Sequence, residues 1–385
     1  MKLLLIQRDD VRDWKTWSGT PNAMRSALEK QGVRVDVCDK LGWPTSPIIA
    51  IENLMLRLIQ ANTYYRPRSS RYYARRIRQN LRELEHDWDC AIVIDSFEVL
   101  PFLHLGIPII YVSDCTKTQL IEFAYSGYEK FSPQAERQIV DLEKQAYARA
   151  SLLAFSSKWA ASSAIEKYGV PQEKTRHVLF GASIDQVPTF EEACTRGPWQ
   201  DSDRCELLFL GVDWNRKGGD IALNVVRELN RMGLRSRLTI CGVRPDIDQN
   251  EQVQFVPFLD KHKPEELRKL KDLLCKSSFL LLPTQAECFG VVFCEAFAHG
   301  LPPVSCQVGG VPEIITHGEN GFVLDRDAKP AEYANLIYES FTDEKSYLSL
   351  RRSARESYDS TYNWNAWANE IILIAQELVD HTKHE

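Results

Sequence analysis

The chain has 385 residues, 44% of them apolar and 26% charged, with a formal net charge of −6 at neutral pH. That length is comfortable for two domains with separate cores, the composition is ordinary for a globular protein, and the acidic balance argues against a general nucleic-acid binder. The ten cysteines are scattered and include no C-x-x-C pair, so neither a disulfide framework nor a zinc site is indicated, and a reducing cytosol is the expected compartment.

Met1-Lys-Leu-Leu-Leu-Ile6 is too short for the core of a signal peptide and runs directly into Gln-Arg-Asp-Asp, so it reads as a first buried strand, Leu3–Ile6. No run approaches membrane-spanning length. The segment Asp13-Trp-Lys-Thr-Trp-Ser-Gly-Thr-Pro-Asn22 leads to a helix starting at Thr20-Pro21 and ending at Gly32. Gly19, at that helix entry, either lets the backbone approach a phosphate or an acceptor or belongs to a plain capped turn. Further strands are expected at Val33–Cys38, Cys90–Ile94, Ile107–Val112, Leu152–Phe155 and His177–Phe180. Between the second and third, Arg68, Arg71, Arg75, Arg78 and Arg82 recur every three or four residues, with Tyr73, Ile77, Leu81 and Leu84 on another helix face. No acidic residue lies between Leu56 and Glu83, whereas a solvated helix face normally interleaves acids with bases. Two readings of this stripe carry equal weight: an ordinary solvated face, or a surface for an anionic membrane or a phosphorylated acceptor.

After a stretch rich in Pro, Gly and acids, residues 181–204, the pattern restarts with strands at Glu206–Leu210, Arg237–Cys241, Gln252–Val256, Ser278–Leu282, Pro303–Cys306 and Gly321–Leu324. Alternating strands and helices of this kind predict an α/β chain of two doubly wound, Rossmann-like domains facing across a cleft, with ligands beyond the carboxyl ends of the strands.

Two stretches carry chemistry. In Leu208-Phe-Leu-Gly-Val-Asp-Trp-Asn-Arg-Lys-Gly-Gly219, a strand ends at Gly211 and a basic pair, Arg216 and Lys217, stands where a helix opens. Such a pair can hold a diphosphate and neutralise a departing phosphate, although alone it would pass for a solvated turn. In the stretch from Pro283 to Gly300, Glu287 and Glu295 are eight positions apart, and Glu295 falls inside an apolar helix that Cys288-Phe-Gly290 introduces. A carboxylate there is costly to bury without a partner, while the helix entry is suited to an anion. A structural acid favoured by the helix dipole is the bland alternative for Glu295. The acidic pairs Asp87-Trp-Asp89, Asp201-Ser-Asp203, Asp246-Ile-Asp248 and Asp325-Arg-Asp327 read as turn and surface acids, so no metal ligand is assigned.

Pro283, Glu287, Phe289, Gly290, Glu295, Ala296, Gly300, Pro302, Gly309, Gly310 and Glu313, in that order, resemble the signature of the retaining glycosyltransferases of family four. Phe155-Ser-Ser-Lys-Trp-Ala-Ala161, Tyr168-Gly-Val-Pro171 and Phe180-Gly-Ala-Ser-Ile-Asp185 extend the likeness, which runs from about Pro108 to Leu324. The resemblance implies a GT-B fold: a domain over residues 1–190, a nucleotide-sugar domain over 200–363, and a crossover helix over 364–385 that returns to the first. It implies that Glu287 acts on the transferred sugar, that Glu295 binds ribose hydroxyls, and that Lys217 contacts the leaving diphosphate with the backbone N–H groups of Phe289, Gly290 and Val291. The family usually has an arginine directly after the strand glycine; Val212 occupies that place here and Arg216 stands beside the lysine instead. Many members have a histidine where this chain has Asp114, which is either a sugar-hydroxyl acceptor or a turn-forming residue. The implied activity is transfer of a hexose from a UDP-sugar to a small-molecule or lipid hydroxyl acceptor, with no cofactor beyond the nucleotide sugar. A nucleotide-sugar epimerase of similar build and a non-catalytic sugar-nucleotide-binding subunit are the alternatives.

Overall fold

The computed structural model describes residues 1–13, 15–41, 67–85, 87–125, 128, 131–195 and 204–384. They form two compact units, Met1–Leu179 with Trp364–Glu385, and Phe180–Asn363.

The first unit is built on a six-stranded parallel sheet in the order β2-β1-β3-β4-β5-β6. Its strands are β1 (Lys2–Ile6), β2 (Arg34–Cys38), β3 (Cys90–Ile94), β4 (Ile109–Ser113), β5 (Leu152–Phe155) and β6 (Thr175–His177). The continuous apolar runs of β1, β3, β4 and β5 are buried along their whole length, as parallel strands covered by helices on both faces must be. Lys2, at the start of β1, escapes that rule through ion pairs to Asp36, Glu85 and Asp87 at 3.1, 3.0 and 2.5 Å. The helix Thr20–Lys30 packs against the last helix, Trp364–His384.

Two expectations shift here. The sixth strand lies at Thr175–His177, not His177–Phe180, because Thr175, Arg176 and His177 pair with Leu153, Ala154 and Phe155 before the chain leaves the sheet. The boundary between units falls at Phe180 rather than after residue 190: the Phe180 ring packs 5.3 Å from that of Phe289, and Ala182 N–H donates to Tyr362 O at 3.3 Å.

The second unit holds a six-stranded sheet in the order β12-β11-β10-β7-β8-β9. Its strands are β7 (Cys205–Leu210), β8 (Ser236–Cys241), β9 (Val253–Val256), β10 (Phe279–Leu281), β11 (Pro303–Cys306) and β12 (Phe322–Leu324). Every pairing in it is parallel. The order reverses between β7 and β10, and the carboxyl ends of the strands at such a switch point are the place where doubly wound sheets hold ligands.

The arginine stripe lies on and just after the helix Pro67–Leu81. Tyr73, Ile77 and Leu81 face the core of the first unit, while Arg71, Arg75, Arg78 and Arg82 are exposed. The side chain of Arg68 and the pair Asp201 and Asp203 lie outside the described residues. Among the described residues no helix is long and apolar enough to cross a membrane.

Candidate active site

Glycines press the two loops at the switch point together. Gly218 has φ of 73°, and a Cβ placed there would lie 2.0 Å from Pro283 O, so the turn after β7 rests directly on the turn after β10. A Cβ on Gly211 would come within 3.1 Å of Lys217 Cγ, leaving the end of β7 just wide enough for the lysine stem. Gln285 N–H donates to Arg216 O at 2.6 Å, and the Thr284 hydroxyl donates to the same oxygen at 3.1 Å. Asp213 receives the Arg216 backbone N–H at 3.0 Å and closes the loop on itself.

These contacts place Lys217 Nζ in hydrogen-bonded ion pair with the Glu287 carboxylate, both side chains being 9% exposed. Arg216 Nη1 lies 3.7 Å from Glu287 Oε2 and donates to Ala286 O at 2.9 Å. Two buried or nearly buried cations thus converge on one carboxylate, an arrangement that meets the desolvation cost only when the charges are closely paired.

Directly after Glu287 and Cys288, the chain turns through Phe289 and Gly290 into the helix Val291–Ala298. Gly290 has φ of 97°, a conformation that side chains avoid, and a Cβ there would strike the Phe293 ring at 2.6 Å. The N–H groups of Phe289, Gly290 and Val291 therefore lie at a helix N-terminus beside Glu287, where the dipole favours an anion. Glu295 lies farther along that helix, 4% exposed, with its carboxylate accepting from Lys261 Nζ. Burial pushes its pKa above the usual carboxylate range, and the Lys261 ammonium opposes that shift.

The structure gathers Gly211, Arg216, Lys217, Glu287, Phe289, Gly290 and Val291 around the β7 and β10 ends, with Glu295 on the helix that follows. Gly19 and Asp114 belong to the first unit. Gly19 is buried, precedes the helix Thr20–Lys30 with φ of 81°, and follows Trp17 and Ser18, which also hold positive φ of 45° and 57°. Asp114 is half-buried between β4 and Thr116, whose side chain caps the helix Lys117–Glu122. Lys261 has no place in the sequence motif. The signal for it is Glu295 itself, since a carboxylate in an apolar helix calls for a cation and Asp260-Lys-His-Lys263 follows the end of β9.

Residues 198–357 match the family model described as glycosyl transferases group 1. The D-inositol 3-phosphate glycosyltransferase of Corynebacterium efficiens is 25% identical over 268 residues, which cover 64% of this chain and 61% of that protein. The putative colanic acid biosynthesis glycosyltransferase WcaL of Escherichia coli is 24% identical over 239 residues, covering 59% of this chain and 56% of that one. The chain thus spans about 60% of the length of these curated relatives. Among solved structures, sucrose-phosphate synthase from Thermosynechococcus elongatus superposes with a TM-score of 0.66 at 16% identity, covering 99% of this chain and 100% of that one. Anabaena HepE in complex with UDP-glucose superposes with a TM-score of 0.62 at 17% identity, covering 98% and 100%. With two Rossmann-like units, a switch point built from its two-glutamate segment and a group 1 match over residues 198–357, the second unit is similar to the glycosyl transferases group 1 and the chain has the GT-B fold.

Proposed function

We propose that the chain is a retaining glycosyltransferase that moves a hexose from a UDP-sugar to a hydroxyl acceptor, with no metal ion and no cofactor beyond the nucleotide sugar. The observation that carries this reading is the buried Lys217 and Glu287 pair, flanked by Arg216, at the switch point between β7 and β10. A departing nucleoside diphosphate needs positive charge in a site sheltered from water, and the lysine, the arginine and the N–H groups of Phe289, Gly290 and Val291 supply it without a divalent ion. Glu287, beside those cations, is assigned to the sugar hydroxyls and to the positive charge that develops at the anomeric carbon. Glu295 is assigned to the ribose hydroxyls, and Gly211 to close approach of the nucleotide at the end of β7. In the first unit, Gly19 is assigned to backbone approach to the donor phosphate or the acceptor, and Asp114 to a sugar hydroxyl. The acceptor oxygen attacks from the face that the UDP leaves, so configuration is kept and no protein nucleophile is required.

HepE, solved with UDP-glucose and with UDP, supports the choice of a uridine donor. For the acceptor, the exposed Arg71, Arg75, Arg78 and Arg82 favour one presented at an anionic membrane surface. The test is a thermal-shift series with UDP, GDP, ADP and TDP, followed by proton NMR of the product. A ligand at about 100 times its Kd stabilises by roughly 2.7 kcal/mol, so UDP should raise Tm and the others should raise it less. An α-linked donor should give an α-glycoside in the presence of a chelator. A β-product, or activity lost to the chelator and restored by manganese, would refute the reading.

A further inference from the structure

Glu295 is enclosed by its own helix, by the loop after β9 and by the helix Glu344–Ser360. Each presents a titratable or charged group. On its own helix, Cys294 is a thiol that burial holds well above its usual pKa. His299 donates from Nδ1 to the Glu295 backbone O at 2.8 Å, and burial pushes its imidazole down to about 4, so it is neutral near pH 7. From the helix Glu344–Ser360, Arg355 donates to Ala298 O at 2.7 Å and pairs with Asp359 at 2.9 Å. From the loop after β9 comes Lys261, which donates to the Glu295 carboxylate and, at 3.0 Å, to Ser183 O. Its neighbour Lys263 instead pairs with Glu266 at the surface, 65% exposed, whereas the Lys261 side chain is 19% exposed. Two lysines in one short loop therefore take opposite directions, and the ammonium of the inward one is held by two acceptors.

We propose that Lys261 is a positioning residue of the donor site, holding the Glu295 carboxylate as a fixed anionic acceptor for the ribose hydroxyls. This rests on the assignment of Glu295 to the donor. Without the lysine, the buried carboxylate takes up a proton, loses an acceptor lone pair and is freed to turn, and both changes weaken a ribose contact more than they affect the sugar transfer itself.

The experiment has two arms. In the nucleotide-free protein, carboxyl-carbon NMR of labelled glutamate follows Glu295, identified by its loss in Glu295→Gln. Lys261→Met should move its titration to higher pH, and Lys261→Arg should leave it near the wild-type position. In the second arm, UDP affinity is measured from pH 6 to 9. Lys261→Met should bind UDP about tenfold more weakly at the acid end and recover as pH rises, with donor KM raised and kcat within about twofold. Lys261→Arg should restore a flat profile, and Lys261→Met/Glu295→Gln should match Glu295→Gln at every pH. Should the methionine variant not fold, Lys261→Gln takes its place. An unmoved Glu295 titration, or a pH-independent loss that arginine does not rescue, overturns the proposal. Failure of the wild type to bind UDP refutes the donor assignment instead, and the nucleotide-free arm still decides whether Lys261 sets the state of Glu295.

Discussion

Each sheet reverses its strand order once, and the two reversal points use buried charge differently. In the second unit, between β7 and β10, Lys217 and Glu287 come from loops that glycines have pressed together, and both side chains are 9% exposed. In the first unit, between β1 and β3, Arg8 pairs with Glu98 at 3.3 Å, and Asp95 after β3 receives Lys117 at 2.8 Å from beyond β4. There the partners are graded in exposure: Lys117 is 4% exposed, Asp95 34%, Glu98 24% and Arg8 43%. The comparison shows that one architecture can hold a dry, rigid charge cluster or a wetter one. In the second unit Gly218 lets backbone approach backbone beside the pair.

Removing the carboxylate at the dry cluster should have the largest effect. Glu287→Ala is expected to lower kcat by about 10²–10³ while changing UDP affinity little, because the carboxylate is assigned to the sugar. Steady-state kinetics beside UDP titration reads both, and wild-type turnover would show that the cluster is only structural. Lys217→Ala should lower turnover and weaken UDP binding together, by about tenfold or more in affinity, since a charge-assisted contact to the diphosphate is lost. Unchanged UDP affinity in that variant would place the diphosphate elsewhere.

A smaller effect sharpens the first unit's side of the comparison. Glu143, wholly buried, accepts hydrogen bonds from Tyr147 at 2.8 Å, from the Lys117 backbone at 2.9 Å and from Tyr168, and burial pushes its pKa up to about 7. Its folded pKa lies above its unfolded one, so the native state holds the proton more tightly. The associated stability is complete below the unfolded value near 4.5 and is lost as pH rises to about 7. The shift corresponds to roughly 3 kcal/mol. Denaturant unfolding should thus show the first unit weakening from pH 5 to 7, and Glu143→Gln should flatten that slope. A slope unchanged in the glutamine variant would assign it to other groups.

The weakest expected effect concerns the arginine stripe, since each exposed arginine near an anionic surface contributes on the order of 1 kcal/mol. Replacing Arg71, Arg75 and Arg78 with glutamine should release the protein from vesicles of acidic lipid, more readily as salt rises. A raised KM for a soluble phosphorylated acceptor, with no vesicle binding by the wild type, would favour that acceptor, and no response in either measurement would leave a solvated helix face.

The second unit was more legible than the first. Glu287, Lys217 and Gly290 announce themselves because each breaks a local rule: acid at a strand end, basic pair at a helix entry, glycine where the chain must turn left-handed. Strand positions were readable from apolar runs, down to Cys90–Ile94 and Leu152–Phe155, because fully buried parallel strands have no polar face. The end of β6 was not, since Val178, Leu179 and Phe180 are as apolar as a strand but spend that character on packing past the sheet edge. Lys261 was illegible for another reason: two similar lysines stand in its loop, and only tertiary contact with Glu295 and Ser183 distinguishes the inward one.

The helix Trp364–His384 belongs to the first unit although the whole second unit precedes it in the chain. During synthesis, residues 180–363 are contiguous and can close their core as soon as they emerge, whereas the first unit must wait for a segment made after them to cover the helix Thr20–Lys30. The earlier-made half thus finishes later. A ribosome stalled before Trp364 should expose a nascent chain whose second unit resists protease while its first remains susceptible, which makes this helix a late latch on the first unit rather than an appendage.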